Sequence, residues 1–334
     1  MKNLVFICLL FLSFSCKNFE TKSSLVQNSG EALGTTYSIQ YEGNQDYHDD
    51  LKKVFDLVNQ SMSTYLPSSV ISKINSGDST VIVDAHFETV FLLSKKIWME
   101  TNGVFDPTVG PLVNAYGFGP KGKLKGIDSI EVDSIKQFVG MEKVLLTKSK
   151  SIKKQDSRTF IDFNAIAKGY TIDLLGELLD SNDIQNYLIE LGGELLAKGI
   201  NTNSGKDWIV GIDDPTQTEE RTLIKKIKLK DVAMATSGNY RKTRIDPDTG
   251  AHYVHTINPK TGWPKISNVL SVSVLAETCA EADAYATAFM AMELEESKSF
   301  LSSNENVEAY IIYVDENNVM QEWFTEGFQK LIVE

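Results

Sequence analysis

The chain has 334 residues, 42% of them hydrophobic and 23% charged, and a formal net charge of −12. That is enough apolar material for one large core, and too acidic for a phosphate-backbone partner, which needs clustered Lys and Arg; nucleic acid is therefore not expected. Anionic small ligands stay open, provided that a metal or a local positive pocket offsets the repulsion.

Lys2 precedes an apolar run from Leu4 to Leu12, followed by Ser13, Phe14, Ser15 and Cys16. The run is too short to span a bilayer but has the charged start, apolar middle and small-residue end of a secretory signal, so residues 1–15 read as a signal peptide. Cys16 resembles a bacterial lipoprotein acceptor cysteine, with leucine one place further from it than usual; a plain signal with an accidental cysteine is the alternative. Lipidation is preferred because residues 16–29 then form a polar, Ser-rich tether, with the folded domain at residues 30–334. The expected location is the bacterial cell envelope, lipid-anchored to a membrane and facing the periplasm or exterior. Cys8 leaves with the signal and Cys16 is acylated, so Cys279 has no disulfide partner and reads as a small buried apolar residue.

Leu33 to Tyr41 (L-G-T-T-Y-S-I-Q-Y) alternates Tyr37, Ile39 and Tyr41 as a strand does. Asp49 to Ser61 is an amphipathic helix carrying Leu51, Val54, Phe55 and Val58. It runs into M-S-T-Y-L-P, where Tyr65 on a loop suits either stacking on a planar ring or packing on the domain surface. After a helix from Glu88 to Thr101 comes the stretch Thr101 to Gly119, in which Gly103, Pro107, Gly110, Pro111, Gly117 and Gly119 break regular structure. Val104, Phe105, Val109, Leu112 and Val113 are too apolar for disorder, which predicts a folded loop lining a pocket. Gly117 to Gly122 spells G-F-G-P-K-G, formally a dinucleotide fingerprint, but Pro120 and Lys121 give a turn where the fingerprint needs a helix, so it is rejected.

The stretch I-D-F-N-A-I-A-K-G-Y-T-I-D, Ile161 to Asp173, has strand character over 159–161 and helix character from Ala165. Asp162 and Asn164 then sit at a helix N-terminus with Lys168 nearby, a place for an anion or a cation-bridged anion, or an ordinary capped joint. Gly169 inside the helix costs about 1 kcal/mol against alanine, which points to another surface passing close by.

Further on, Asn186 to Gly199 reads as strand, Gly-Gly turn, strand. Asp207 to Asp213, Leu223 to Leu229 and Val232 to Ala235 add strands, Thr236 to Tyr240 reads as a small-residue turn, and Asp246 to Gly250 is turn chemistry. Tyr253 to Pro264 carries His255 at a strand end, in a cluster of loop-forming and polar residues, in a structural or a chemical role. In the helix after Glu281, Asp283 and Thr287 lie four apart and share a face. Carboxylate plus hydroxyl plus a backbone carbonyl is a hard-oxygen set suited to Mg2+; a helix-start acid and a hydroxyl bonded back to a carbonyl is the plainer reading.

Eight motifs in one order carry a resemblance: L-G-T-T-Y, M-S-T-Y-x-P-x-S-x-I-S-K-I-N, G-V-F-D-P-T-V-G-P-L-V, I-D-F-N-A-I-A-K-G-Y-x-I-D, L-I-E-L-G-G-E-L-L-A-K-G, A-T-S-G-N-Y, H-T-I-N-P-K-T-G-W-P and A-D-A-Y-A-T-A. From about Gly30 onward the chain closely resembles the ApbE family of FAD:protein FMN transferases, which are often exported lipoproteins. The resemblance implies an α+β fold, one large body with a mixed or antiparallel sheet core in a T-fold-like arrangement, with FAD in a cleft. It places Tyr65, Val104, Phe105, Asp106, Asp162, Lys168 and Ile257 on the FAD, and His255 near the reacting groups. It gives Mg2+ the Ala165 carbonyl and the side chains of Asp283 and Thr287. Leu33, also on the cofactor side, stands where the family commonly has Met, and Asn258 where Asp is common.

The implied chemistry is phosphoryl transfer from FAD as substrate, with AMP leaving and a Ser or Thr of a target protein accepting FMN. His255 is the candidate base. Family targets are flavin-bearing subunits of membrane redox complexes of the NADH:quinone or ferredoxin:NAD type. A Mg2+-dependent FAD pyrophosphatase and a non-catalytic FAD-binding lipoprotein are the rivals. Asp246 to His252 (D-P-D-T-G-A-H) imitates the acceptor pattern and makes Thr249 a candidate for self-flavinylation, against which stand the departing last residue and the turn reading.

Overall fold

The computed structural model describes residues 24–120, 127–217, 222–239, 243–245, 252–265 and 267–333. Cys16, the end of the G-F-G-P-K-G stretch and Thr249 lie outside them. In chain order the strands are β1 (Ser24–Ala32), β2 (Thr35–Gly43), β3 (Val144–Leu146), β4 (Ile152–Lys154), β5 (Tyr187–Leu191), β6 (Glu194–Lys198), β7 (Trp208–Asp213), β8 (Leu223–Leu229), β9 (Val232–Gly238), β10 (Thr243–Ile245), β11 (His252–Val254), β12 (Val269–Ala276), β13 (Glu308–Val314), β14 (Met320–Phe324) and β15 (Ile332–Val333). The helices are α1 (His48–Met62), α2 (Val70–Asn75), α3 (Ala85–Glu100), α4 (Gly110–Ala115), α5 (Ser129–Lys136), α6 (Ala167–Asp180), α7 (Cys279–Ala291), α8 (Leu294–Ser303) and α9 (Glu326–Gln329).

Eight strands form one antiparallel sheet in the order β1-β2-β5-β6-β9-β12-β13-β14. The alternation in β2 turns Tyr37, Ile39 and Tyr41 to one face, where they meet Leu51 and Phe55 of α1 and Ile172, Leu175 and Leu179 of α6. Further across the same face, Val272 and Val274 of β12 pack with Phe289 and Met290 of α7. Ala197, Leu275 and Ile312 point to the opposite face, under Trp208, Ile227 and Leu229 of the small sheet β15-β8-β7. The body is thus α+β in three layers, helices over a large sheet over a small one.

Four expectations need correction. Residues 24–29 are not tether: β1 pairs with β2 along its whole length, from Ser24↔Gly43 to Ala32↔Thr35. It is an edge strand with most side chains in solvent, which is why its composition reads as a linker. Residues 159–161 form no strand but a single bridge, Val109↔Phe160, and the Asn75 side chain stands in for a neighbour by bonding Ile161 O and Ile161 N at 2.8 Å each. Thr236 to Gly238 continue β9 rather than turning, because β12 pairs with them up to Ser271↔Gly238. Gly110 and Pro111, expected to break structure, instead open α4: proline's fixed φ suits a first turn, and a Cβ at residue 110 would overlap Phe160.

Candidate functional site

At one end of the large sheet lies a cavity of about 360 Å³, within the range of small-molecule sites. Two hairpin tips form its rim. Leu33 and Gly34 join β1 to β2 with φ of 51° and 76°, and Gly192 and Gly193 join β5 to β6 with φ of 63° and 102°. Both positions of such a turn need φ above zero, which suits glycine and strains leucine. Leu33 nevertheless keeps its side chain on the cavity wall, and strain of this kind gathers at functional sites.

The 104–113 segment supplies a second wall, as expected. Val104 and Phe105 are buried against the core and line the cavity. Asp106 also lines it, yet its carboxylate serves the loop itself: Oδ1 accepts from Thr108 N at 2.8 Å and Thr108 Oγ1 at 2.6 Å, and Oδ2 from Met141 N at 3.1 Å. Burial pushes its carboxyl up, and these donors pull it back. Asp162 fastens the next segment to this loop, its N–H donating to Pro107 O at 2.7 Å, while its Oδ1 accepts from Asn164 N at 2.8 Å. Burial raises the Asp162 carboxyl as well.

Ala165 lines the cavity just before α6, and Lys168 lines it from the second position of the helix. The Lys168 ammonium lies 2.5 Å from Glu194 Oε1 and 3.5 Å from Asp283 Oδ2. Burial alone would lower its pKa, but Asp283 and Glu194 outweigh that and raise it. Gly169 N donates to Asp283 Oδ2 at 3.1 Å. The surface expected near Gly169 is the first turn of α7: a Cβ there would overlap the Cys279 carbonyl.

Asp283 and Thr287 stand one turn apart on α7 and both line the cavity. The plainer reading of each fails. Asp283 does not start its helix, because Thr278 Oγ1 caps Glu281 N at 3.2 Å and Asp173 accepts from Cys279 N at 2.7 Å and Ala280 N at 2.9 Å. Thr287 makes no hydrogen bond back to a carbonyl among the described residues, in contrast to Thr171, whose hydroxyl donates to Ala167 O at 2.6 Å. Asp283, only 2% exposed, engages its neighbours through Oδ2 and leaves Oδ1 without a hydrogen bond among the described residues. An unbonded carboxylate oxygen, a hydroxyl and the Ala165 carbonyl on the same cavity wall are hard donors, so the residues fit Mg2+. They include no cluster of three His, Cys, Asp or Glu, so water and phosphate would complete the shell.

His255 and Ile257 line the cavity from the segment after β11, and the His255 ring meets the Phe118 ring edge-on at 6.5 Å between centroids. Tyr65 stands apart: it is 63% exposed and is not among the lining residues. Cys279 is free and buried, as expected, and burial pushes its thiol up. Glu194, 3% exposed and directly on Lys168, was not singled out from sequence. Its signal is a glutamate immediately after two positive-φ glycines, facing the only Lys or Arg among the described lining residues. Asp106, Asp162, Glu194 and Asp283 against one lysine leave the cavity acidic, which disfavours a pyrophosphate unless a divalent cation accompanies it.

The ApbE family model matches residues 33–311. An "FAD:protein FMN transferase" of Haemophilus influenzae is 32% identical over 96% of this chain and 94% of its own length. Among solved structures, the flavin transferase ApbE of Vibrio cholerae superposes with a TM-score of 0.82 at 31% identity, covering 92% of this chain and 99% of that one. The ApbE protein of Thermotoga maritima gives 0.81 at 26% identity, covering 93% and 100%. With its motifs in family order, its fold shared and its cavity built from those motifs, the chain belongs to the ApbE family.

Proposed function

We propose that this chain transfers FMN from FAD to a Ser or Thr hydroxyl of a target protein, releasing AMP, in a Mg2+-dependent reaction. One observation carries the reading: Asp283 and Thr287 line the cavity one turn apart, and Asp283 Oδ1 and the Thr287 hydroxyl make no hydrogen bond among the described residues.

Asp283, Thr287 and the Ala165 carbonyl would hold Mg2+, which when bound neutralises charge on pyrophosphate oxygens. The protein's own groups do the remainder. Leu33, Val104, Phe105 and Ile257 give apolar walls for the flavin and exclude water. Lys168, fixed by Glu194, brings positive charge beside the phosphates. The acceptor oxygen bonds to the FMN phosphorus as the bond to the AMP oxygen breaks, and His255 takes the hydroxyl proton.

The acceptors are flavin-bearing subunits of NADH:quinone or ferredoxin:NAD-type membrane redox complexes. The chain works in the bacterial cell envelope, lipid-anchored through Cys16 and facing the periplasm or exterior. The signal-like residues 1–15 ending at that cysteine support this placement.

The test incubates the full chain with FAD, Mg2+ and such a subunit, following intact mass and free flavins. A mass gain of one FMN on the acceptor, lost in Asp283→Ala, is the expected result. Free FMN with an unmodified acceptor would make the protein a pyrophosphatase, and bound but unchanged FAD would make it a binding protein.

A further inference from the structure

We infer that Asp173 is a positioning residue for the cation site, holding α7 in register against α6 so that Asp283 and Thr287 meet the Ala165 carbonyl; this rests on the metal site proposed above. The three donors come from two different elements. Ala165 immediately precedes α6, whereas Asp283 and Thr287 belong to α7. Nothing in the covalent chain fixes that spacing, because 118 positions separate residue 165 from residue 283. What fixes it is the seam between the helices.

That seam has two contacts one turn apart on α6. At Gly169 the absent Cβ lets the α6 backbone reach the Cys279 carbonyl, and the Gly169 N–H bonds Asp283 Oδ2 at 3.1 Å. At Asp173 both carboxylate oxygens are used, Oδ1 on Cys279 N at 2.7 Å and Oδ2 on Ala280 N at 2.9 Å. Two bonds to consecutive amides fix the helix start both along its axis and about it. Thr278 already caps Glu281 N, so Asp173 completes the set of first-turn donors while tying it to the neighbouring helix. A shift of α7 by a fraction of a residue would carry Asp283 off Gly169 and away from Ala165. Partners of metal ligands typically change affinity by about 10- to 100-fold when lost, and Asp173 reaches Asp283 through a single helical turn.

The test measures Mn2+ binding to the full chain by electron paramagnetic resonance at pH 8, with FAD fluorescence titration and thermal unfolding on the same samples. Asp173→Asn keeps one acceptor and turns an amide NH2 toward an N–H; Asp173→Glu keeps the charge and displaces it by one methylene. Both should weaken Mn2+ by about tenfold while FAD affinity without metal stays within twofold. Ile227→Ala, in the small sheet, supplies a destabilised reference and should leave Mn2+ affinity unchanged. Wild-type Mn2+ affinity in both Asp173 variants, together with loss of binding in Asp283→Ala, would overturn the role of Asp173 alone. Undiminished binding in Asp283→Ala would overturn the metal site, and this inference with it. Should Asp173→Asn not fold, Asp173→Glu decides.

Discussion

Lys168 Nζ lies 2.5 Å from Glu194 Oε1, inside a cavity whose other charged walls are acidic. The lysine is therefore as much a counterion for Glu194 and Asp283 as a hand for phosphate. Lys168→Met should leave two nearly buried carboxylates facing each other, a loss of about 3–5 kcal/mol. Mg2+ should then restore more stability to the variant than it adds to the wild type, since a cation can replace the missing charge. Thermal melts with and without Mg2+ decide it; equal Mg2+ effects on both proteins would sink the idea.

Thr287→Val separates ligand from scaffold. Its hydroxyl makes no hydrogen bond among the described residues, so an isosteric loss of oxygen should move stability by no more than about 0.5 kcal/mol. The Mg2+ concentration for half-maximal FMN transfer should rise by roughly tenfold or more. A fall in stability with an unchanged Mg2+ requirement would return Thr287 to the role of an ordinary helix residue.

Much of this was legible in the sequence, for reasons that differ by residue. Strands β2 and β5 alternate because every second side chain is buried under the helices α1 and α6, and that period survives in the letters. Strand β1 hides, since at the edge it needs few apolar residues. The 159–161 stretch imitates a strand, but its backbone partner is the Asn75 side chain, 86 residues away. Asp283 and Thr287 were readable by helical spacing, whereas Glu194 needs the fold: only the β5–β6 hairpin brings it to Lys168. Tyr65 was placed by its motif, and the exposed loop it occupies lies off the cavity wall.

Asn258, where the family commonly has Asp, uses its amide as a donor. Nδ2 gives a hydrogen bond to Ala291 O at the end of α7 (3.1 Å), while Oδ1 accepts from Lys260 N (2.9 Å) and Thr261 N (3.2 Å). Asn258→Asp keeps the turn and loses the donor, setting a negative charge against the negative pole of the helix. A loss of about 1–2 kcal/mol is expected at pH 7, shrinking in acid as the new carboxyl takes a proton. Denaturant unfolding of both proteins at pH 7 and pH 4 checks this, and an equal gap at the two values would count against the bond to Ala291.

Asp173 predicts the pH dependence of stability. Burial pushes its carboxyl up to about 7 from an ordinary 3.8, against the pull of its bonds to Ala280 and Cys279, and Glu177 on α6 and Glu281 on α7 add to the rise. Because the folded pKa lies above the unfolded one, the folded state holds a proton that the unfolded chain releases near pH 4. The stability this provides is full below that value and is lost as pH rises through about 7, with a slope of at most one proton. The ionised carboxylate above pH 7 is the form that serves both α7 amides, so the fold gives up some stability for the firmer seam. Unfolding free energies at pH 4.5, 6 and 8 should show the wild type losing ground to Asp173→Asn as pH rises, with the two curves parallel above pH 8. A difference that stays constant from pH 4.5 to 8 would mean that Asp173 titrates near its ordinary value, the two amides and the helix pole having offset its burial.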